Sequence, residues 1–308
     1  MTADRPVLGI LLMLGFCLIA PLADAIAKLI GNSVPIAEVV LVRFGLQALV
    51  LIPLIWWTGR SWRMGPRVLT LTFLRTLLHI VGIGAMFTAL RYLPLADAVA
   101  IAFVMPFFML LLGRYFLNEV VGPRRLVACS VGFAGTLLVV QPSFASVGWP
   151  ALLPVLVAAS FSLFMLVTRQ IAKQTDPIGL QAVSGVIAVL LMVPLIFIDA
   201  GGDIAALVLL QTDAYYWGLL ISIGLLGTLA HLLMTWSLRY APSATLAPMQ
   251  YLEIPFATVL GFFIFQDLPN QLASFGILLT ILAGLYVIQG ERANARRLVL
   301  QTDPPQAA

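Results

Sequence analysis

Three polar side chains, Gln250, Tyr251 and Glu253, lie within the otherwise apolar stretch "LAPMQYLEIPFATVLGFF". Gln250 and Glu253 are three residues apart, so on a helix they share one face. Pro248 and Pro255 flank the group, and each proline removes a backbone donor and loosens the helix around it. A carboxylate in this setting can hold a cation, take up a proton or form a buried ion pair.

The rest of the chain is also unusually apolar. Of its 308 residues, 61% are hydrophobic and 10% are charged, and the mean hydropathy is +1.05, whereas soluble proteins carry roughly 25% charged residues. The apolar residues form blocks of about 18–24, the length that spans a hydrocarbon core of about 30 Å. Because lipid offers the backbone no hydrogen bonds, we expect these blocks to be helices. The sequence therefore predicts an all-α polytopic membrane protein.

Turn residues between the blocks divide the chain into ten predicted transmembrane helices. The predicted spans are residues 7–30, 35–57, 68–90, 95–117, 125–141, 150–172, 178–199, 215–238, 243–265 and 271–289. If the N-terminus is cytoplasmic, twelve basic residues lie on the inner side, and only Lys28 and Arg91 lie on the outer side and its span ends. This bias follows the positive-inside rule. It predicts a multi-pass protein of the cell inner (plasma) membrane with both termini in the cytoplasm.

The chain also contains an internal repeat. A shift of 148 positions aligns "ALRYLPLADAVA" (89–100) with "SLRYAPSATLAP" (237–248). The repeat predicts two five-helix halves, 1–142 and 143–291, followed by a cytoplasmic tail, 292–308. Because five is an odd number, the second half enters the membrane from the opposite side. Two inverted halves can open alternately to either side of a midplane site, which predicts a secondary transporter that works by alternating access.

The two halves share three sequence features. An "LRY.P" segment precedes the fourth span of each half, an acidic residue follows that span (Glu119, Asp267), and a glycine-containing helix closes the half ("GFAGTLLVVQP", "LLTILAGLYVIQG"). Together with "AIAKL" in span 1 and "VRF" in span 2, these features resemble the EamA type of the drug/metabolite transporter superfamily. The resemblance implies two five-span repeats and a polar cavity lined by spans 1, 3, 4, 6, 8 and 9. The second half departs from the pattern, since no arginine in span 7 matches Arg43.

Charged residues within the spans are the candidates for the site. A charge at the bilayer centre costs about 2.5–3.5 kcal/mol on insertion scales, so such residues usually face a cavity or a partner. Glu253 lies about halfway along its span, too far from either end to reach water, and is the best single candidate. The predicted substrate-binding residues are Asp24, Arg43, Arg75, His79, Asp97, Phe103, Trp236, Gln250, Tyr251 and Glu253.

Several of these residues also have structural interpretations. Asp24 and Lys28 are four residues apart and can pair with each other near the outer interface. Arg43 can pair with an acidic residue of span 1 or span 4. Arg75 can be an anchor at the inner interface, and His79 can be a satisfied core residue. The sequence leaves these alternatives open.

The balance of deep charges bears on the substrate. Three basic and three acidic residues cancel, namely Lys28, Arg43, Arg75, Asp24, Asp97 and Glu253. Such a balance favours a small zwitterionic or cationic metabolite of amino-acid-like character over a multiply phosphorylated one. The segment "QYLEI" is similar to a stretch in relatives that carry S-adenosylmethionine, whereas flavin carriers share the same architecture. A flavin or another aromatic metabolite is therefore the alternative substrate.

The alternative of another class is an intramembrane enzyme that uses Glu253 with His79 or His231. The sequence has no paired catalytic carboxylates, metal-ligand spacing or nucleophile–base arrangement, so we expect a protein that is not an enzyme and needs no metal or cofactor. It also has no nucleotide-binding motif, so we expect a proton or sodium gradient to drive transport.

The remaining expected partners are the lipid bilayer and a second copy of the chain, with no nucleic acid. Spans 5 and 10 carry almost no polar groups, and their glycines permit close packing within the bundle or across a homodimer. These glycines are Gly132, Gly135, Gly276 and Gly284.

Overall fold

The computed structural model describes residues 5–118, 121–198, 213–267 and, with short gaps, 270–289. These residues form helices and connecting turns, without a strand, which confirms the all-α prediction for the described part of the chain. The helices are α1 (Pro6–Ile30), α2 (Ile36–Thr58), α3 (Pro66–Ala89), α4 (Leu95–Ala102), α5 (Met105–Phe116), α6 (Pro123–Val147), α7 (Leu153–Ile171, preceded by a 3-10 turn at Trp149–Leu152), α8 (Pro177–Ile198), α9 (Ala214–Tyr240), α10 (Ser243–Gln250), α11 (Glu253–Phe265) and α12 (Ser274–Ala283).

Seven helical segments of the described chain are long and apolar enough to cross a membrane. They are Pro6–Ile30, Ile36–Thr58, Pro66–Ala89, Leu95–Phe116, Trp149–Ile171, Pro177–Ile196 and Ala214–Tyr240. The apolar stretches Leu126–Leu138, Glu253–Phe265 and Ser274–Ala283 are shorter, between 10 and 17 residues. The structure thus supports several membrane-spanning helices, and the count of ten spans stays a prediction.

Prolines and glycines mark several helix ends. Pro6, Pro66 and Pro177 each open a helix. A backbone N–H at that position would have no partner within the helix, so proline loses no hydrogen bond there. Gly31 and Gly59 follow the ends of α1 and α2 with φ of 53° and 65°. A side chain is strained in that left-handed region and glycine is not, so both residues allow the chain to reverse after a long helix.

Two predicted spans, 95–117 and 243–265, are each interrupted in the structure. The first divides into α4 and α5 at Phe103 and the second into α10 and α11 at Tyr251. The sequence predicted one continuous helix for each span, and the structure corrects this. A proline follows each interruption within a few residues, and it cannot donate a hydrogen bond to the carbonyl four positions back, so the regular helix does not continue there.

These interruptions follow the internal repeat. Phe103 and Tyr251 are 148 positions apart, and the bounds of α4 (Leu95–Ala102) and α10 (Ser243–Gln250) are related by the same shift. After the second helix of each span, Asn118 and Gln266 adopt positive φ of 53° and 59°, and they too are 148 positions apart. The repeat detected in the sequence is therefore also a repeat of local backbone geometry.

Helix packing has the same twofold pattern. The most extensive packing joins α1 to α9, α3 to α7 and α2 to α8. When each helix is replaced by its counterpart in the other sequence half, the pair α1–α9 becomes α7–α3. The pair α2–α8 becomes α8–α2, which is the same pair. Likewise α4 packs on α11 and α5 on α10. Each half is thus packed mainly against the other, and any site between the halves has walls from both.

Candidate functional site

A cavity lies among the two halves of the bundle. Residues of α1, α3, α4, α5, α7, α9 and α11 line it, together with one residue of α2. Its walls are mostly apolar. Four ionisable residues face it: Asp24, Arg43, His231 and Glu253. Its aromatic walls are Phe16, Phe87, Phe103 and Phe161.

Glu253 is the first residue of α11, directly after the interruption at Tyr251 and Leu252. Its position at a helix N-terminus favours a negative charge. The side chain is 7% exposed, and the structure records for it no hydrogen bond or ion pair within the described part of the chain. Its charge lies close enough to Asp24 for the two carboxylates to repel each other. Two acidic groups therefore face one cavity, and neither forms an ion pair in the described part of the chain.

Asp24 and Arg43 face the same cavity from α1 and α2. Their charges attract each other, but the two side chains form no direct ion pair in the described part of the chain. Nη1 of Arg43 is buried without a hydrogen-bond partner. A buried donor left unpaired lowers stability by about 1–3 kcal/mol, so a ligand group that accepts from this nitrogen would remove that penalty.

Gly227 on α9 leaves the space that the Arg43 guanidinium occupies. A Cβ at this position would lie 2.9 Å from Nε of Arg43 and 3.2 Å from Cζ and Nη2. Any larger residue would displace the guanidinium or the helix. The sequence analysis did not find Gly227. The signal available to it was the four-residue spacing between Gly227 and His231, which places both on one face of α9.

Two histidines lie side by side behind Arg43. Nε2 of His79 is 3.2 Å from Nε2 of His231 and 3.5 Å from Nη2 of Arg43. One imidazole nitrogen must donate and the other accept in such a contact. His79 is fully buried and does not face the cavity, whereas His231 does. From the sequence, His231 was expected to be a core residue or to belong to the enzyme alternative, and the structure places it on the cavity wall.

Arg75 lies one turn before His79 on α3 and is fully buried. Nε donates to Oγ1 of Thr168 at 3.0 Å and Nη1 donates to Oγ of Ser184 at 2.6 Å. Cζ lies 4.5 Å from the centre of the Phe164 ring. The alternative that Arg75 reaches the inner interface as an anchor is therefore wrong, since it is enclosed between helices.

Four other predicted residues lie away from the cavity. The amide nitrogen of Gln250 contacts Sδ of Met165 at 3.2 Å, and the Tyr251 hydroxyl donates to the Cys129 carbonyl at 3.2 Å. Trp236 packs beside a separate apolar cluster of α2, α8 and α9. Asp97 lies in the first turn of α4 and is partly exposed. Of the ten predicted residues, the cavity brings together Asp24, Arg43, Phe103 and Glu253.

Lys28 pairs with Asp267 and not with Asp24. Nζ of Lys28 lies 2.7 Å from Oδ2 of Asp267 and 4.7 Å from the centre of the Phe265 ring. The pair joins the end of α1 to the end of α11 and frees Asp24 for the cavity. Glu119, the counterpart of Asp267 in the first half, lies outside the described residues.

The predicted packing glycines are used within the chain. A Cβ at Gly132 would lie 2.5 Å from the Tyr251 ring, and one at Gly135 would lie 2.6 Å from the Gly276 carbonyl oxygen. Close packing of α6 therefore explains both residues without a second copy of the chain. Gly284 lies outside the described residues, and the homodimer stays a prediction.

The cavity offers charged and aromatic groups for binding a solute, with no metal-binding arrangement in view. No group of three or more His, Cys, Asp or Glu side chains able to hold a metal ion occurs among the residues described. Membrane-length helices from both halves of the chain surround a mostly apolar cavity that charged residues face, and this defines a polytopic membrane protein with an internal cavity.

A family model narrows this class. The model, described as the EamA-like transporter family, matches residues 7–141 and 148–289. The chain belongs to the EamA-like transporter family, as the sequence motifs implied.

Individual relatives agree with this assignment. The chain is 31% identical over 223 residues to a riboflavin transporter of Rhizobium johnstonii, covering 72% of this chain and 71% of the relative. It is 26% identical over 269 residues to an S-adenosylmethionine uptake transporter of Rickettsia bellii, covering 87% of this chain and 89% of the relative. The family and these relatives confirm that the protein is a transporter and not an enzyme.

A solved crystal structure shares the fold. It superposes with a TM-score of 0.72 at 16% sequence identity and covers 92% of this chain and 98% of the solved chain. At this identity the similarity concerns the fold alone.

Proposed function

We propose that this protein is a secondary transporter of the inner membrane for a small metabolite that carries both a cationic group and an amino-acid-type carboxylate. S-adenosylmethionine is the compound that best represents this class, and it is also the compound named for the Rickettsia bellii relative. The observation that carries the proposal is the unpaired arrangement of Asp24, Glu253 and Arg43 around one cavity.

The charges of the cavity are complementary to such a substrate. In their ionised forms, Asp24 and Glu253 supply two negative charges and Arg43 supplies one positive charge. A substrate with a sulfonium, an ammonium and a carboxylate carries the opposite charges in the same numbers. Its cationic groups can approach the two carboxylates, and its carboxylate can accept a hydrogen bond from the unpartnered Nη1 of Arg43. Charge-assisted hydrogen bonds of this kind are the stronger ones.

The aromatic walls suit the rest of the substrate. Phe16, Phe87, Phe103 and Phe161 face the cavity and can stack on a flat heterocycle or contact a cation through their ring faces. This same observation favours riboflavin as the second candidate, a compound named for the Rhizobium johnstonii relative. The first candidate is preferred because its cationic groups can pair with Asp24 and Glu253, whereas a neutral isoalloxazine offers these carboxylates no counter-charge.

Alternating access follows from two inverted five-helix halves, 1–142 and 143–291, with both termini in the cytoplasm. The matching interruptions of α4–α5 and α10–α11 and the symmetric packing of the halves support this arrangement. Two carboxylates that face one cavity also provide a site for a coupling proton or sodium ion. In this proposal the ion occupies the site when the substrate's cationic group does not.

The test is exchange of labelled substrate by the purified full chain in proteoliposomes. We expect the wild type to exchange S-adenosylmethionine in counterflow. Glu253→Gln keeps the size of the side chain but removes its charge, so we expect at least a tenfold loss of binding. Glu38→Gln is the matched control, because Glu38 is also buried but does not face the cavity. We expect this variant to bind like the wild type.

Other outcomes contradict the proposal or select the alternative. Exchange of riboflavin without exchange of S-adenosylmethionine would favour the second candidate. Wild-type binding by Glu253→Gln, measured by ligand-induced melting shifts, would remove Glu253 from the substrate site.

A further inference from the structure

Arg75 is a buried cation whose recorded partners are neutral. It is 0% exposed, and its two recorded hydrogen bonds go to the hydroxyls of Thr168 and Ser184. The salt bridges of the described chain involve other residues. A charge buried without a counter-charge is strongly unfavourable. Such a residue within a membrane helix usually faces a pathway for ions or substrate.

One nitrogen of Arg75 remains free. Nη2 is buried and has no hydrogen-bond partner. Thr168 and Ser184 lie beside the guanidinium, on α7 and α8. The Thr168 hydroxyl already donates to the Phe164 carbonyl at 2.7 Å. The position therefore offers a positive charge, a free N–H donor and the Ser184 hydroxyl. These are the groups that bind a carboxylate oxygen.

Arg75 also lies on a line of side chains that begins at the cavity. Arg43 faces the cavity, and its Nη2 is 3.5 Å from Nε2 of His79. His79 and Arg75 are one turn apart on the same face of α3. Both contact Phe164, the histidine ring at 4.5 Å between centroids and the guanidinium carbon at 4.5 Å from the ring centre. The line runs from the cavity towards the N-terminal end of α3.

We propose that Arg75, with Ser184 beside it, is a second binding site for the carboxylate of the substrate. It is occupied when the protein opens toward the side on which α3 begins, which the predicted topology places in the cytoplasm. Arg43 holds the carboxylate in the cavity, and Arg75 receives it after the conformational change. This inference rests on the proposed function, because it requires a substrate that carries a carboxylate. In this inference, residues that do not face the cavity in this structure bind the substrate during the second half of the transport cycle.

A purely structural role for Arg75 makes a different prediction. If Arg75 only ties α3 to α7 and α8, its loss lowers stability and slows the transport of every substrate equally. If it binds the carboxylate, its loss affects only substrates that have this group. A pair of probes that differ in the carboxylate alone separates these roles.

The experiment uses S-adenosylmethionine and its decarboxylated counterpart, which keeps the adenine, the sulfonium and the amine. Counterflow in proteoliposomes is measured for the full-length wild type, Arg75→Gln and Arg75→Lys, with Arg114→Gln as an exposed arginine control. We expect the wild type and Arg114→Gln to exchange the carboxylate-bearing probe at least ten times faster than the decarboxylated one. We expect Arg75→Gln to lower this ratio severalfold, with the remaining discrimination due to Arg43 in the cavity, and Arg75→Lys to restore part of the loss.

The inference has outcomes that overturn it alone. If the wild type exchanges both probes equally fast, the carboxylate is not recognised along the path and the inference fails without any variant. If Arg75→Gln keeps the wild-type ratio, Arg75 is structural. If Arg75→Gln does not fold, the ratio in Arg75→Lys decides, because an unchanged ratio with a slower rate for both probes indicates a structural role.

A different result overturns both proposals. If the wild type exchanges neither probe, the proposed function and this inference fall together. Exchange of S-adenosylmethionine with an Arg75-independent ratio leaves the proposed function intact.

Discussion

The rings of Phe103 and Tyr251 lie 5.8 Å apart between centroids, and the two residues occupy equivalent positions of the internal repeat. Each lies at the interruption of its span, Phe103 between α4 and α5 and Tyr251 between α10 and α11. The contact thus joins the two irregular points of the bundle. Since Phe103 also faces the cavity, a change in the cavity can reach both interruptions through this pair.

Tyr251 is held in place by α6, and this predicts the effect of Gly132→Ala. A Cβ at Gly132 would lie 2.5 Å from two atoms of the Tyr251 ring. Overpacking of this kind costs about 1–3 kcal/mol, so we expect a lower melting temperature in detergent and slower transport. Gly84→Ala on α3 is the control, because a Cβ there meets no atom within 4 Å. An equal melting temperature for the two variants would show that α6 yields without loss.

Gly227→Ala should act on binding, because the new Cβ would lie 2.9 Å from Nε of Arg43. The guanidinium would have to turn away from its place at the cavity. We expect the affinity for S-adenosylmethionine to fall about tenfold, which corresponds to about 1.4 kcal/mol. Gly218→Ala on the same helix is the matched control, since its Cβ would meet no atom within 4 Å. Unchanged affinity in Gly227→Ala, measured by ligand-induced melting shifts, would show that the position of Arg43 is not critical.

The Lys28–Asp267 pair predicts a specific energetic coupling. Its side chains are 18% and 37% exposed, and pairs of this exposure contribute about 0.2–1 kcal/mol. In a double-mutant cycle of thermal stability we expect Lys28→Met and Asp267→Asn to couple by an amount in this range, and the coupling to fall at high salt. Lys28→Met and Asp24→Asn form the comparison cycle. Coupling to Asp24 in place of Asp267 would restore the pairing that sequence spacing alone suggested.

The helices were largely predictable because their causes are local. Apolar block length gives the spans, and prolines and glycines such as Pro66 and Gly59 mark their ends. The interruptions at Phe103 and Tyr251 were not predicted, because proline near the middle of a transmembrane helix is also compatible with an unbroken one. Whether the helix breaks depends on whether neighbouring helices can satisfy the backbone groups that the break frees. The sequence of one segment does not contain that information.

The site was predictable only in part for a similar reason. Asp24, Arg43 and Glu253 could be identified because a charge within an apolar span needs a cavity or a partner. Gln250 and Tyr251 were grouped with Glu253 by their spacing, but the interruption at Tyr251 ends the helix between them, so the shared face is lost. The partner of Lys28 is 239 positions away, and no local pattern identifies it.

The membrane orientation gives the last prediction. The positive-inside rule places both termini and the loop after α2 in the cytoplasm. Reporters fused after Ser61 and after residue 300 should therefore report cytoplasm, and a reporter inserted near Gly202 should report the outside. The inverted repeat requires an odd number of spans in each half and hence an even total. At each site two fusions should be compared, one to an enzyme that is active only in the cytoplasm and one to an enzyme that is active only outside. Every site then gives one positive signal. A C-terminal reporter that is active only outside would make the total odd and would remove the inversion on which alternating access depends.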